Sequence, residues 1–162
     1  MKQEIKTRVV VFGIFDGVHE GHRDFFLQAR RSPACWRDKG GSPDMVELIA
    51  VVGRDLVALK LKGKKPKFSE HERVLMVEKE SLADRVVLGD KELSAYKILE
   101  KLKPDVICLG YDQKELKKDL SFWLAKNNQK IKLFTLKPYG SDIFHNSKFS
   151  GGAKLRAKLS GA

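Results

Sequence analysis

The chain has 162 residues, of which 42% are hydrophobic and 33% are charged, and its formal net charge is +11. This length supports one domain with a genuine core, and the composition is that of a soluble globular protein. No apolar run approaches the roughly 20 residues of a membrane span, and the first residues lack an apolar signal-peptide core. The two cysteines, Cys35 and Cys108, are far apart, which argues against a disulfide framework or a metal site. We therefore expect a cytoplasmic protein without a membrane partner.

The first predicted strand, residues 9–12, leads through a turn with two glycines into a helix predicted over residues 20–31. At a helix N-terminus, unpaired N–H groups and the positive end of the helix dipole attract anions. His19 and His22 lie on one face of this helix, and Gly21 leaves the backbone open to a phosphate. These features predict a phosphate site, the alternative being a polar helix start with two surface histidines.

The following elements alternate along the chain. Helices are predicted over 54–59, from the N-cap Ser69 onward with Glu72 in the capping-box position, over 92–102 and over 114–126, and strands over 45–53, 84–88, 104–110 and 131–136. Such alternation indicates a parallel sheet with helices on both faces. We predict an α/β fold, a single Rossmann-like domain over residues 1–162 with a five-stranded parallel sheet, and a basic C-terminal helix at about 152–160.

Positive charge is concentrated in one predicted loop that contains glycine and proline. Its lysines are Lys60, Lys62, Lys64, Lys65 and Lys67. The other basic residues are mixed with acids, so the charge favours a local phosphate site over an extended nucleic-acid surface. A solvated charge run is the alternative. We therefore expect no nucleic-acid partner; a nucleic-acid module would show affinity that falls steeply with salt.

Two segments are predicted to share one crevice. Parallel sheets bind ligands at the carboxyl ends of their strands, where the strand order reverses. Residues 13–22 and 110–113 each follow such a strand end. Asp112 is also a candidate N-cap for the helix over 114–126. His71 and His145 are isolated and are predicted to be surface or loop histidines.

Residues 13–22, G-I-F-D-G-V-H-E-G-H, resemble the signature of the nucleotidyltransferase superfamily with the H-x-G-H motif. Within it, the chain is similar to the cytidylyltransferase-like family, which includes glycerol-3-phosphate and ethanolamine-phosphate cytidylyltransferases and FAD synthases. The resemblance covers nearly the whole chain. It implies transfer of a nucleoside monophosphate from a nucleoside triphosphate to a phosphorylated acceptor, with release of pyrophosphate and with Mg²⁺ bound to the triphosphate. Protein ligands for the metal stay unknown, with Asp16 as one candidate contact.

The resemblance also implies roles for individual residues. His19, His22 and Lys62 are the implied catalytic residues. Nucleotide contacts are implied for Gly13, Ile14, Phe15, Asp16, Gly21, Lys64, Gly110, Asp112, Ser150, Gly151, Gly152 and Arg156, and acceptor contacts for Arg73, Tyr111 and Gln113. Relatives are often dimers, but no exposed apolar stripe argues for a homodimer here.

The segment 109–113, L-G-Y-D-Q, is similar to that of archaeal-type FAD synthases, whereas the related cytidylyltransferases usually have a G-x-D-W form. This favours ATP and FMN as substrates and FAD as product, the alternative being CTP with glycerol 3-phosphate or a similar alcohol phosphate. Ile14 replaces a usual Thr, Ser or Asn, and Gly151 and Gly152 replace hydroxyl residues. These departures leave open a catalytically weak nucleotide-binding or regulatory domain.

Overall fold

The computed structural model describes residues 6–32, 36–37 and 40–140. Five parallel strands form one sheet in the order β3-β2-β1-β4-β5. The strands are β1 Thr7–Gly13, β2 Val46–Val52, β3 Arg85–Leu88, β4 Val106–Leu109 and β5 Lys132–Thr135. The predicted fold class is therefore confirmed. The predicted C-terminal helix lies outside the described residues.

Five α-helices connect or flank these strands in the described part of the chain. They are α1 Glu20–Arg31, α2 Asp55–Lys62, α3 Glu70–Lys79, α4 Lys97–Leu102 and α5 Lys114–Lys126. Ser69 is the N-cap of α3, as predicted, and its Oγ accepts a hydrogen bond from the backbone N–H of Glu72 at 3.2 Å. None of the helices described here is long and apolar enough to cross a membrane.

The two faces of the sheet carry separate apolar layers because successive side chains of a strand point to opposite faces. Val9 and Val11 of β1 pack in one layer with Phe26 of α1 and Val77 of α3. Val10 packs in the other layer, whose remaining members include Leu99 and Leu102 of α4 and Leu120 of α5. Helices thus cover both faces, and β1 is buried between them.

The helix predicted over 92–102 begins only at Lys97. Ser94 and Tyr96 have left-handed backbone angles, with φ of 63° and 49°, which are incompatible with a right-handed helix. The hydroxyls of both residues donate to the carboxylate of Asp119 on α5. These tertiary hydrogen bonds to α5 therefore accompany a turn where the apolar spacing predicted a helix.

The helix predicted over 54–59 extends farther than expected, to Lys62, and ends at Gly63 with φ of 73°. Lys60 and Lys62 therefore lie in the last turn of α2, not in the loop where the sequence placed them. Positive side chains are favourable at this end because the helix dipole is negative there. The lysine-rich segment is thus part helix and part loop.

Candidate active site

The two histidines of the H-x-G-H motif cap α1 reciprocally. Nδ1 of His19, the N-cap residue, accepts from the Gly21 backbone N–H at 3.1 Å, and Nδ1 of His22 accepts from the His19 backbone N–H at 3.3 Å. A ring nitrogen that accepts carries no proton, so the proton of each neutral imidazole is on Nε2. The rings stack with their centroids 3.8 Å apart. The caps therefore fix two adjacent imidazoles as Nε2–H donors.

Gly21 leaves room for the ring of His19. A Cβ atom built at Gly21 would lie 2.9 Å from Cε1 of that ring, which is closer than real Cβ contacts come. The ring of His19 thus fills the space beside Gly21. The sequence predicted that a phosphate approaches the backbone there. This glycine permits the capped geometry.

Phe15 supports the histidines from behind. Its side chain is only 3% exposed, stacks on Phe26 at a centroid distance of 5.3 Å, and meets His22 edge-on at 5.3 Å. Its φ of 54° is unusual for a residue with a side chain, and a Cβ atom at Gly13 would lie 2.5 Å from the Phe15 ring. Phe15, predicted to contact the nucleotide, instead turns its ring into the core beneath His22.

The environment keeps His22 uncharged at neutral pH. Burial first, and then the neighbouring His19 and Lys62, lower the pKa of His22 to about 4, against the opposing influence of the Gly17 backbone and the Asp112 carboxylate. Since Lys62 and Asp112 both influence this pKa, both lie near His22. The structure thus brings together His19, His22 and Lys62, the three residues that were predicted to be catalytic, with Asp112 close by.

Asp16 binds the lysine-rich segment. Its two carboxylate oxygens accept from the backbone N–H groups of Lys67 at 2.8 Å and Phe68 at 3.0 Å. Desolvation raises the pKa of Asp16, but these two hydrogen bonds and the charge of Arg73 outweigh it, so the pKa is lowered overall. The carboxylate predicted to contact nucleotide or metal is therefore engaged by the protein backbone.

Arg73 lies behind the loop between β1 and α1, residues 14–19, which we call the histidine loop. It does not lie on the surface of this loop. Its side chain is 0% exposed, and its guanidinium donates to the carbonyl oxygens of Ile14 and Gly53, both at 2.7 Å. The Ile14 side chain covers Gly53, since a Cβ atom there would lie 2.6 Å from Ile14 Cδ1. In place of the predicted acceptor contact, the structure shows Arg73 bonded to the protein itself.

The segment after β4 lies across the switch point from the histidines. Oε1 of Gln113 accepts from the Gly110 N–H at 2.8 Å, and Nε2 donates to the Phe12 carbonyl at 2.9 Å. Gln113 therefore ties the ends of β1 and β4 together, although the sequence predicted that it contacts the acceptor. It is also the N-cap position of α5, so the alternative reading of Asp112 as the N-cap is wrong.

The remaining predicted residues fall into three groups. Lys62, Lys64, Tyr111 and Asp112 are exposed. Gly110 packs closely, since a Cβ atom there would lie 3.0 Å from Asp112 Oδ1. Ser150, Gly151, Gly152 and Arg156 lie outside the described residues, as does His145.

Sequence reasoning missed the structural roles of Arg73 and Gln113. One signal for Arg73 was available: it lies four residues before Val77, a core residue of α3, so the two share a helix face. No local pattern indicates that Gln113 reaches Phe12, because the two residues are 101 positions apart.

Comparison with known proteins agrees with this geometry. A family model described as "Cytidylyltransferase-like" matches residues 10–148. A FAD synthase of Aciduliprofundum boonei is 38% identical, over 94% of this chain and 90% of that protein. FAD synthases of Thermococcus sibiricus and Korarchaeum cryptofilum are 32% and 35% identical, over 91% and 85% of this chain and 93% and 86% of those proteins.

A solved structure has the same architecture. The crystal structure of the lipopolysaccharide core biosynthesis protein from Thermoplasma volcanium is 32% identical and superposes with a TM-score of 0.66, covering 82% of this chain and 98% of that chain. The H-x-G-H geometry, the strand order and these matches agree. The chain belongs to the cytidylyltransferase-like family.

Proposed function

We propose that the protein is an FMN adenylyltransferase, which converts ATP and FMN into FAD and pyrophosphate. The observation that carries this proposal is the pair of capped imidazoles, held as Nε2–H donors at the N-terminus of α1 and at the switch point of the sheet. The choice of ATP and FMN is supported by the L-G-Y-D-Q segment and by similarity to proteins named FAD synthase.

The reaction needs no nucleophile from the protein. A phosphate oxygen of FMN attacks the α-phosphorus of ATP, a new P–O bond forms, and the bond to the bridging oxygen of the β-phosphate breaks as pyrophosphate leaves. Catalysis then consists of positioning and of stabilising the charge that develops. His19 and His22 donate from Nε2 to the α-phosphoryl oxygens, and an uncharged His22 does so without transferring its proton.

Positive charge near the histidines receives the leaving group. Lys62 lies at the negative end of α2, close enough to affect His22, and Lys64 follows it in the exposed turn. We assign both ammonium groups to the β- and γ-phosphates, where charge accumulates as the bond breaks. Asp112 is exposed and lies close enough to influence His22, and it is our candidate for contact with the base, the ribose or the acceptor.

We propose that the divalent ion is Mg²⁺ and that it is carried by the triphosphate. Among the described residues there is no group of three or more His, Cys, Asp or Glu side chains that could hold a metal, and both Asp16 oxygens already accept N–H groups. This fits Mg²⁺, which keeps several waters and takes few protein ligands when it binds substrate phosphates. When bound, it neutralises phosphate charge. Cytoplasmic location stays a prediction of the sequence, as does the question of a homodimer.

The test is pyrophosphate release in the presence of Mg²⁺, with ATP or CTP crossed against FMN or glycerol 3-phosphate. We expect release with ATP and FMN, loss of release in His19→Ala, and unchanged release in His71→Ala, which removes an exposed histidine of α3. Release with CTP and glycerol 3-phosphate would establish the second candidate, which the family description favours.

Binding without release would indicate the non-catalytic alternative. Ile14 motivates that outcome, because its side chain covers Gly53 and offers no hydroxyl to a phosphate. Calorimetric titration with ATP and with CTP distinguishes this case. No binding of either nucleotide would refute the nucleotidyltransferase proposal itself.

A further inference from the structure

Arg73 is a fully buried cation whose guanidinium donates four hydrogen bonds to other groups of the protein. Besides the carbonyls of Ile14 and Gly53, it donates to the Phe68 carbonyl at 3.0 Å and to the Asp55 carboxylate at 2.6 Å. A buried charge is costly unless its geometry and hydrogen bonds compensate for it. Here one carboxylate and three carbonyl oxygens surround the cation, so the cluster has one favourable arrangement.

Each of these partners belongs to a different piece of the site. Ile14 is in the histidine loop, Gly53 follows β2, Asp55 begins α2, and Phe68 follows the lysine-rich loop. The segment between Asp55 and Phe68 carries both lysines that we assign to the triphosphate. Arg73 therefore holds this segment at both ends and attaches it to the loop that carries the histidines.

Asp16 closes the arrangement from the histidine side. It accepts from the Lys67 and Phe68 N–H groups, while Arg73 binds the Phe68 carbonyl and the Ile14 carbonyl. The result is a ring of contacts in which Phe68 is held by its N–H and by its carbonyl. Sliding of the lysine segment along the histidine loop would break hydrogen bonds on both sides of Phe68.

We propose that Arg73 is a positioning residue, which together with Asp16 sets the separation between the imidazole pair and the lysines for the length of a triphosphate. The proposal rests on the proposed function, since it concerns the same phosphate site. It predicts that loss of the Arg73 hydrogen bonds weakens contacts with the β- and γ-phosphates and leaves contacts with the rest of the nucleotide intact.

The chain offers a matched control at the opposite edge of the sheet. Arg30 of α1 donates to the carbonyls of Val46 and Leu82, both at 3.1 Å, and to the Asp84 carboxylate at 3.0 Å. It has the same chemistry as Arg73, with carbonyls plus one carboxylate, but it lies at the amino ends of the strands. The Arg30→Lys variant therefore measures the effect of losing such arginine hydrogen bonds at a place far from the histidines.

The experiment compares Arg73→Lys with Arg30→Lys in the intact chain. Calorimetry measures the Kd for ATP and for AMP, steady-state kinetics measures the KM for ATP and for FMN, and thermal unfolding measures stability. For Arg73→Lys we expect a rise of about tenfold or more in the Kd and KM for ATP, because the lysines lose their position relative to the histidines, with AMP and FMN values unchanged. Arg30→Lys should lower the Tm and leave all four values unchanged.

Equal losses of ATP and AMP affinity in Arg73→Lys, or equal effects of the two substitutions on ATP, would overturn the proposal. If Arg73→Lys does not fold, Asp16→Asn provides the second test, with the same expected loss confined to ATP and with faster hydrogen exchange at the Lys67 and Phe68 amides. If the wild type binds ATP but releases no pyrophosphate, the proposed function fails while the Kd comparison still decides the role of Arg73.

Discussion

One edge of the sheet holds the amino ends of the strands and the opposite edge holds their carboxyl ends. Both edges use the same kind of interaction, but they present different groups to solvent. At the amino edge, Arg8 binds the Glu47 carboxylate at 2.9 Å, and Arg30 binds Asp84 together with two backbone carbonyls. At the carboxyl edge, Arg73 binds one carboxylate and three carbonyls. Both edges are thus closed by arginines that satisfy carbonyl groups at the ends of buried strands.

The two edges differ in the charged groups that surround these arginines. At the amino edge, carboxylates of Glu47, Asp84 and Asp105 meet arginine side chains and backbone N–H groups. At the carboxyl edge the closure is buried, and the exposed rim holds Lys62 and His19. The Asp112 carboxylate lies near this rim, but the exposed ammonium and imidazole groups there can still bind phosphate, so the comparison favours the carboxyl edge as the candidate phosphate site.

The largest effect is expected from His22→Ala. It removes an Nε2–H donor from the α-phosphoryl group, and loss of one such donor lowers kcat about 10²–10³-fold. It also removes half of the reciprocal cap, which lowers the free energy of unfolding by about 1 kcal/mol. Pyrophosphate release and chemical denaturation measure the two effects. A kcat within twofold of wild type would show that the rim histidines are structural only.

Gly21→Ala should give the next largest effect. The added Cβ atom would lie 2.9 Å from the His19 ring, so the ring must move, and displacement of a catalytic group by about 1 Å lowers activity up to 10²-fold. Gly41→Ala is the matched control, because its Cβ atom would lie 3.6 Å from the nearest atom, the Trp36 carbonyl oxygen. Activity in Gly21→Ala equal to that of the control would contradict our account of the H-x-G-H glycine.

Gln113→Glu tests the frame between β1 and β4. The carboxylate can still accept from the Gly110 N–H, but it cannot donate to the Phe12 carbonyl, so one hydrogen bond of the bridge is lost. Loss of one partner of a half-buried group lowers stability by about 1–3 kcal/mol. Urea denaturation measures this, with Gln129→Glu at an exposed glutamine as control. Equal stability of the two variants would show that the Gln113 side chain does not hold β1 and β4 together.

Much of the fold could be predicted because its determinants are local. The apolar spacing of α1 and α5 predicted both helices with the bounds that the structure shows, and buried β-branched runs predicted the strands to within about two residues of their ends. The start of α4 was wrong, since the turn before it is held by Asp119, a residue of another helix. Local propensity does not include such tertiary bonds.

The same distinction applies to the candidate site. His19, Gly21 and His22 form a short motif, so the sequence identified them together. The role of Arg73 depends on Ile14, which is 59 positions away, and a basic residue near a lysine-rich loop equally suggests a ligand contact. Sequence reasoning therefore identified the rim of the site and misassigned the buried residues that hold the rim in place.

The last effect that we predict is a pH dependence of stability due to His22. Its pKa is lowered from 6.5 to about 4 by burial and by His19, so the unfolded chain binds a proton at a higher pH than the folded chain does. Stability rises with pH wherever the unfolded state binds more protons. The contribution of His22 is therefore complete above about pH 6.5 and is lost as the pH falls toward about 4.

His22→Asn isolates this contribution, because asparagine keeps a side-chain acceptor for the His19 N–H but has no proton to bind in this range. We expect thermal unfolding between pH 7 and pH 4.5 to show a smaller decline in Tm for His22→Asn than for wild type. His71→Asn, which removes an exposed histidine, should keep the wild-type decline. If the His22→Asn and wild-type profiles were parallel, His22 would take up its proton equally in the folded and unfolded states. The neutral Nε2–H donor would then lose its physical basis, because a His22 that titrates normally is partly cationic near neutral pH and its Nδ1 cannot accept from the cap when protonated.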